Sequence, residues 1–331
     1  MKRRLITAVA AAAAAGLALA GCSAGAEAGP SAAADPHGEL ESTTWKAGFI
    51  PAIHNTPLKY GLDQGLFADY GLTVEMESIA SGPAAVTQLV SGELNSGFSN
   101  LFSIALAKLE GIDLRIIMNG ASAAPGFGLV EAMPDSGIEG PEDLVGKTVA
   151  VPAVRNVGDI GISAILDDMG LDGDSVEYVE VPFGQMASAL EQGTIDAAWM
   201  GQPFANAAKA TLGTVTVLDY ADGTLIEDFP ENVYVIDARW AAQNPNTVAA
   251  FQCALADSIE ALLADDELRI AAMTDMTGLD RAVVEPIAGV SWSAEVSPER
   301  YQLASDLMME MGISDEPVDF EALTIPVPTD C

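Results

Sequence analysis

The stretch "IPAIHN" at Ile50–Asn55 has a near-copy, "VPAVRN", at Val151–Asn156, 101 residues further along the chain. Both run β-branched, Pro, Ala, β-branched, basic, Asn. Each follows a short apolar run that reads as a strand, Trp45–Ile50 in one case and Val149–Val151 in the other. A proline stops such a strand because it has no N–H to give to the ladder. A second pair recurs at the same offset: "LVSGELNSGF" (Leu89–Phe98) and "LEQGTIDAAW" (Leu190–Trp199). Leu, Gly, Leu/Ile, Asn/Asp, Gly/Ala and an aromatic agree in order. Two matches at one offset, each at the same strand–helix position, predict two halves built to one plan.

Around these phrases strands and helices alternate. Asn55 or Thr56 caps a helix with Pro57 at its first position and Leu58, Leu62 and Leu66 on one face. Leu72–Ile79 alternates as a strand, Pro83–Ser91 reads as a helix, and Ser96–Asn100 as a strand. A helix from about Phe102 to Glu110 and a strand at Leu114–Met118 follow. The cycle then repeats: helix Val157–Met169, strand Val176–Val181, helix Gln185–Gln192, strand Asp196–Met200. Such alternation predicts α/β lobes with largely parallel sheets. Beyond Asp237 the pattern is helical: Pro245–Leu263 is amphipathic, and Ser297–Met311 opens on Ser-Pro.

The N-terminus sets the compartment. Lys2, Arg3 and Arg4 precede the Ala-rich apolar run Leu5–Leu19, a secretory signal rather than a membrane span. Leu19-Ala20-Gly21-Cys22 resembles the lipobox of bacterial lipoproteins. Residues 1–21 are therefore expected to be a signal peptide, Cys22 the lipidated anchor, and 22–41 a flexible tether in which His37 is idle. The expected location is extracytoplasmic, held to a membrane by lipid. With Cys22 modified, Cys253 and Cys331 are left where disulfides persist. A bond pinning the C-terminal tail to a helix is expected, with two free thiols as the alternative, because spacing does not establish geometry.

Without the signal, 11 basic side chains face 48 acidic ones, a net charge of −37. That field repels nucleic acid and anionic lipid. There is no H-E-x-x-H and no paired C-x-x-C, so no metal or other cofactor is expected. His54 is the one histidine placed to work. Together these argue against an enzyme, although so acidic a chain leaves a pair of catalytic carboxylates open.

In open α/β sheets ligands bind beyond the carboxyl ends of the strands, where helix N-termini also point. His54-Asn55 and Arg155-Asn156 would each stand at the mouth of one half. If the halves face one another, the two phrases form opposite jaws of a cleft.

Nearly the whole chain beyond the tether resembles the solute-binding proteins of ABC importers, in the nitrate/sulfonate/taurine group that includes thiamine-precursor binders. The residues carrying the resemblance are "PLKYGLDQGLFADYGLTVEMES" (Pro57–Ser78), "SGPAAVTQLVSGELNSGFSN" (Ser81–Asn100), "GPEDLVGKTVAVP" (Gly140–Pro152) and "ALEQGTIDAAWMGQP" (Ala189–Pro203). One departure is Asn95, where the family usually has Asp, as at Asp196 here; it reads as a residue that starts a strand. The resemblance implies a two-lobed, type II periplasmic-binding-protein (flytrap) fold, α/β with mixed, mostly parallel sheets and a helical C-terminal region. Lobe one would be 42–130 plus 233–331, and lobe two 131–232. It also implies a monomer that captures a small, anionic organic ligand and hands it to an ABC permease with its ATPase. An enzyme on the same fold (thiamine-pyrimidine synthesis or lyase type) and a ligand-sensing ectodomain are the alternatives.

By the same resemblance the pocket takes in the loops carrying His54, Asn55, Ser81, Gly82, Asn100, Arg155, Asn156, Trp199, Gln202 and Phe204. Arg155 leads for pairing with an oxyanion, because a guanidinium matches such a group bidentately; a surface loop arginine is the alternative. His54 reads either as a hydrogen-bonding group towards ligand or as a packed histidine. Asn55, Ser81, Asn100, Asn156 and Gln202 offer neutral hydrogen bonds. Phe204 and Trp199 offer stacking faces, core packing being the better reading for Trp199.

Overall fold

The computed structural model describes residues 34–287 and 291–331. The signal, the Cys22 lipobox and the tether as far as residue 33 lie outside them. Two sheets organise the chain. In the first, β1 (Thr44–Phe49) lies between β2 (Thr73–Ser78) and β3 (Ser96–Ser99), parallel to both. In the second, β6 (Thr148–Val151) lies in the same way between β7 (Glu177–Glu180) and β8 (Ala197–Gly201).

Each sheet then takes an antiparallel strand delivered from the other half. After β4 (Leu114–Ser122) of the first sheet, β5 (Gly128–Ala132) enters the second and pairs with β8 and with β9 (Val215–Asp219). After β9, β10 (Asn232–Asp237) returns to pair with β3 and β4, and β11 (Ser291–Trp292) adds to the β4 edge. The sheets are thus β11-β4-β10-β3-β1-β2 and β7-β6-β8-β5-β9. The two-lobed, mixed α/β architecture stands as expected, but the sheets are not mostly parallel. Among the described residues four strand pairings are parallel and five antiparallel, because the crossing strands β5 and β10 enter against their neighbours. The first crossing falls between Ser122 and Gly128, before the expected boundary at 130, because β5 belongs whole to the second sheet.

The repeat is visible at atomic level. Asn95 Oδ1 accepts the Lys46 N–H at 2.7 Å, and the Asn95 N–H donates to the Lys46 carbonyl at 2.9 Å. In the other lobe Asp196 Oδ2 accepts the Thr148 N–H at 2.8 Å, and the Asp196 N–H donates to the Thr148 carbonyl at 2.9 Å. An amide oxygen does here what a carboxylate does there, so the departure at Asn95 changes no role.

In the first lobe, α1 (Thr56–Gln64) and α2 (Leu66–Asp69) pack on α9 (Pro245–Ala264). Left-handed Gly65 (φ 79°) splits the pair, so Leu66 does not continue the face begun by Leu58. The helices α3 (Gly82–Ser91) and α4 (Leu101–Leu109) flank the sheet, while α8 (Ala238–Gln243), α10 (Asp266–Thr277) and α11 (Arg281–Val284) join α9 in the helical C-terminal region. The second lobe carries α5 (Val157–Asp168), α6 (Phe183–Glu191) and α7 (Phe204–Leu212). The last helix, α12 (Pro298–Glu310), packs against α4 of one lobe and α5 of the other.

Two features tie the chain ends to the first lobe. Glu41 carboxylate oxygens accept the Asn246 N–H (3.2 Å), the Thr247 N–H (2.9 Å) and the Thr247 hydroxyl (2.8 Å), capping α9. The last part of the expected tether, from residue 34, is therefore docked rather than loose. At the other end the Gln252 amide donates to the carbonyls of Ile117 (2.6 Å) and Pro326 (3.2 Å). Beside it the Sγ atoms of Cys253 and Cys331 are paired, with Cα atoms 5.1 Å apart.

Candidate functional site

The carboxyl ends of β1, β3, β6 and β8 converge on one cavity between the two sheets. Its volume is about 50 Å³. At roughly 10–15 Å³ for each water, it admits a solute of only a handful of heavy atoms. From the first lobe come Ile50, His54, Ser81, Gly82, Phe98 and Asn100; from the second, Asn156, Phe183, Trp199, Gln202 and Phe204. The second crossover adds Glu231 and Asn232.

The lobes touch through a polar seam. Asn100 Nδ2 donates to Asn156 Oδ1 at 2.8 Å, and Asn156 Nδ2 donates to Ser103 Oγ at 2.8 Å. Asn100 also caps α4, its Oδ1 accepting the Ser103 N–H at 3.0 Å. Gly82 is required by this seam. A Cβ there would stand 2.7 Å from Asn100 Nδ2 and 3.0 Å from Ser103 Oγ.

Eight of the ten expected residues line the cavity: His54, Ser81, Gly82, Asn100, Asn156, Trp199, Gln202 and Phe204. Two do not. Asn55 lies behind the wall, its Nδ2 donating to the Ile50 carbonyl (3.0 Å) and its Oδ1 accepting the Tyr234 hydroxyl (3.2 Å). Arg155 is exposed and lines an outer groove beside Ala153, Val154 and Glu180, which adjoins the cavity at Ser81 and Pro152. The local backbone turns it out. Asp159, in the first turn of α5, accepts the N–H groups of Arg155 (2.5 Å) and Asn156 (2.7 Å), and Arg155 sits at φ 52°. Gln202 lines the cavity, but its amide is engaged with the Gly126 carbonyl (2.9 Å) and Asn206 Oδ1 (3.2 Å).

One wall is aromatic. Phe183 stacks on Phe204 with centroids 5.4 Å apart and meets Trp199 at 5.8 Å; Tyr220 supports Trp199 from behind at 5.5 Å. Opposite, His54 stands edge-on to Phe127 at 4.3 Å. Phe98 and Trp199, the matched aromatics of the second repeated phrase, both face the cavity.

Three residues lining the cavity carry a buried side-chain nitrogen with no hydrogen-bond partner of ordinary geometry among the described residues. They are His54 Nε2, Asn232 Nδ2, whose side chain lies beside the Glu231 carboxyl, and Trp199 Nε1, so near β5 that a Cβ on Gly128 would stand 3.0 Å from it. In that order the residues are 7%, 9% and 3% exposed. The Trp and Asn atoms are donors; His54 Nε2 donates in one of its neutral tautomers. Burial lowers the His54 pKa to about 3, so the ring is neutral. Burial pushes the Glu231 carboxyl up to about 7. Among the described residues no Lys or Arg lines the cavity.

Sequence reasoning missed Glu231, Asn232 and Phe183. Glu231 is one of 48 acidic residues, and nothing local marks it. For Phe98 there was a signal, its alignment with Trp199 at the shared offset.

Residues 38–274 match the profile of the NMT1-like family. Among curated proteins the chain is 25% identical over 217 residues to the taurine-binding periplasmic protein of Escherichia coli (strain K12), covering 64% of this chain and 65% of that one. It is 24% identical over 240 residues to the nitrate/nitrite binding protein NrtA of Nostoc sp. (strain PCC 7120 / SAG 25.82 / UTEX 2576), covering 66% and 54%. The chain thus spans less than two thirds of the length of these relatives. Among solved structures, the alkanesulfonate-binding protein SsuA from Xanthomonas axonopodis pv. citri bound to MOPS superposes with a TM-score of 0.73. Its identity is 17%, and the match covers 87% of this chain and 99% of that one.

Proposed function

The chain belongs to the NMT1-like family, and we propose that it is the extracytoplasmic solute-binding component of an ABC importer. It captures one small solute between its lobes and delivers it to a permease worked by an ATPase. A single observation carries the reading: residues of two lobes and a crossover line one small cavity, and three of them carry a buried side-chain nitrogen without a hydrogen-bond partner among the described residues. Leaving a buried donor unmade costs about 1–3 kcal/mol, so such a set is maintained for a molecule that supplies acceptors. That molecule carries an oxyanion, as taurine, nitrate and sulfonates do in the names of the similar proteins.

The oxyanion is held by the neutral donors of Trp199, Asn232 and His54, with Asn100, Asn156, Ser81 and Gly82 closing around it and Phe204 packing on its body. Contact with both lobes is what makes capture productive, because a ligand shifts a two-state equilibrium only by its differential affinity for the two states. In this reading Cys22 carries the lipid anchor, Cys253 and Cys331 are oxidised outside the cytoplasm, and the protein works as a monomer without catalysis.

The test is a thermal-shift screen of the mature chain with nitrate, bicarbonate, ethanesulfonate and 2-aminoethanesulfonate. A ligand at a hundred times its Kd stabilises the folded state by about 2.7 kcal/mol, which raises the melting point by several degrees. Trp199→Phe, which keeps the aromatic body and removes the N–H, lowers the affinity of any hit. A hit indifferent to Trp199→Phe and to Asn232→Leu places binding elsewhere and defeats the reading.

A further inference from the structure

Resting on the solute-capture reading, we propose that the captured molecule is a small zwitterion: beside its oxyanion it carries an ammonium group, and Glu231 is the residue that pairs with it.

Two buried carboxylates make the case by contrast. Glu131, in β5, is fully buried and fully served: it accepts the hydroxyls of Thr214 (2.7 Å) and Thr216 (2.6 Å) and lies 3.3 Å from Lys209 Nζ. That is how a structural carboxylate is kept in an interior. Glu231 is nearly as buried, at 5% exposed, yet it stands on the cavity wall and forms no ion pair among the described residues. The groups around it are neutral. The Tyr220 hydroxyl is committed to the Val157 carbonyl at 2.6 Å, the His54 ring is uncharged, and the Asn232 side chain gives Glu231 a neutral hydrogen bond but no charge to pair with.

The residues that carry the unpartnered donors line the same space of about 50 Å³ as Glu231, so acceptor-seeking and cation-seeking residues share one cavity. A plain anion would satisfy the donors and set its charge against Glu231. A plain cation would do the reverse. A molecule with both charges a few bonds apart satisfies both.

The experiment is calorimetric titration of the mature chain at pH 6 and pH 8. The probes are 2-aminoethanesulfonate and β-alanine, with ethanesulfonate and propionate as amine-free counterparts. The amines are expected to bind at least about tenfold more tightly than their counterparts, the range for a charged hydrogen bond. They should bind more tightly at pH 8, where Glu231 is ionised. Glu231→Gln should abolish the preference, and Glu231→Asp, which keeps the charge, should retain it; circular dichroism checks that both fold.

Equal affinities, or an unchanged preference in Glu231→Gln, overturn the assignment. So does tighter binding at pH 6, which would make a protonated Glu231 a donor to the oxyanion. Amine-free probes that bind through Trp199 with no gain from the amine leave solute capture standing and sink the zwitterion alone. Binding by none of the four overturns the zwitterion, and solute capture falls with it only if nitrate and bicarbonate also fail to shift the melting point.

Discussion

The two copies of the six-residue phrase begin alike and end differently. After β1, Ile53–Asn55 tightens into a short 3-10 turn that buries His54 against Phe127 and faces it to the cavity, while Asn55 turns inward to Tyr234. After β6, the backbone passes through a left-handed residue, so Arg155 points outward and Asn156 reaches the cavity and the opposite lobe. The basic residue faces the cleft in one jaw and the Asn in the other. The repeat therefore preserves the frame of strand, proline and helix start, while the residue that faces the cavity is chosen by local backbone.

The largest effect is expected at the paired Asn positions. Asn156→Ala removes the inter-lobe seam and strands Asn100 and Ser103. At about 1–3 kcal/mol for each buried unsatisfied group, unfolding free energy should fall by roughly 3 kcal/mol, with an increase in the radius of gyration by small-angle scattering. Asn55→Ala, whose bonds stay within one lobe, should cost about 1–2 kcal/mol and leave that radius unchanged. Equal expansion in both variants would erase the distinction between the jaws.

Next comes pH, where Glu231 and His54 act in opposite senses. The Glu231 pKa is raised from 4.5 to about 7, so its stabilisation is present below 4.5 and lost as pH rises through 7. The His54 pKa is lowered from 6.5 to about 3, so its contribution is present above 6.5 and lost as pH falls towards 3. At about 1.4 kcal/mol per pKa unit, the Glu231 shift amounts to roughly 3 kcal/mol and the His54 shift to roughly 5 kcal/mol, partly cancelling around pH 5–6. Urea unfolding across pH 4–8 should show stability rising with pH in Glu231→Gln and falling with pH in His54→Leu. Parallel slopes in the two variants would mean that neither group titrates as its burial dictates.

The smallest effect belongs to Arg155. Arg155→Ala should leave affinity for any hit within about twofold, since the side chain lies outside the cavity. Arg155→Gly should add about 1 kcal/mol of stability by relieving the left-handed backbone. A tenfold loss of affinity in Arg155→Ala would bring the guanidinium back into the cleft.

Much of the architecture was legible because it depends on patterns that survive locally. Alternating strands and helices, the proline stops and the shared offset of 101 located the parallel strands of both sheets. The resemblance to the solute-binding family named the loops beyond those strands, and eight of the ten residues taken from it line the cavity. What could not be read is set by backbone geometry and long-range contact. Nothing in "VPAVRN" declares that Asp159 will take two N–H groups and turn Arg155 away. Glu231 reaches the cavity because a crossover brings it there, and a crossover has no local signature. The expected oxyanion partner was a cation, whereas the cavity offers neutral donors, one of them the indole N–H of a Trp read chiefly as packing.

A pocket without lysine or arginine, inside a body of large negative charge, also has a kinetic signature. An anionic solute approaching it meets a repulsive field, so added salt should speed its capture by shortening the Debye length from about 10 Å at 0.1 M to about 3 Å at 1 M. A solute of zero net charge feels little of that field, and its encounter rate should hardly vary between fresh water and brine. Stopped-flow binding across ionic strengths would thus report the net charge of any solute that binds, independently of its chemistry.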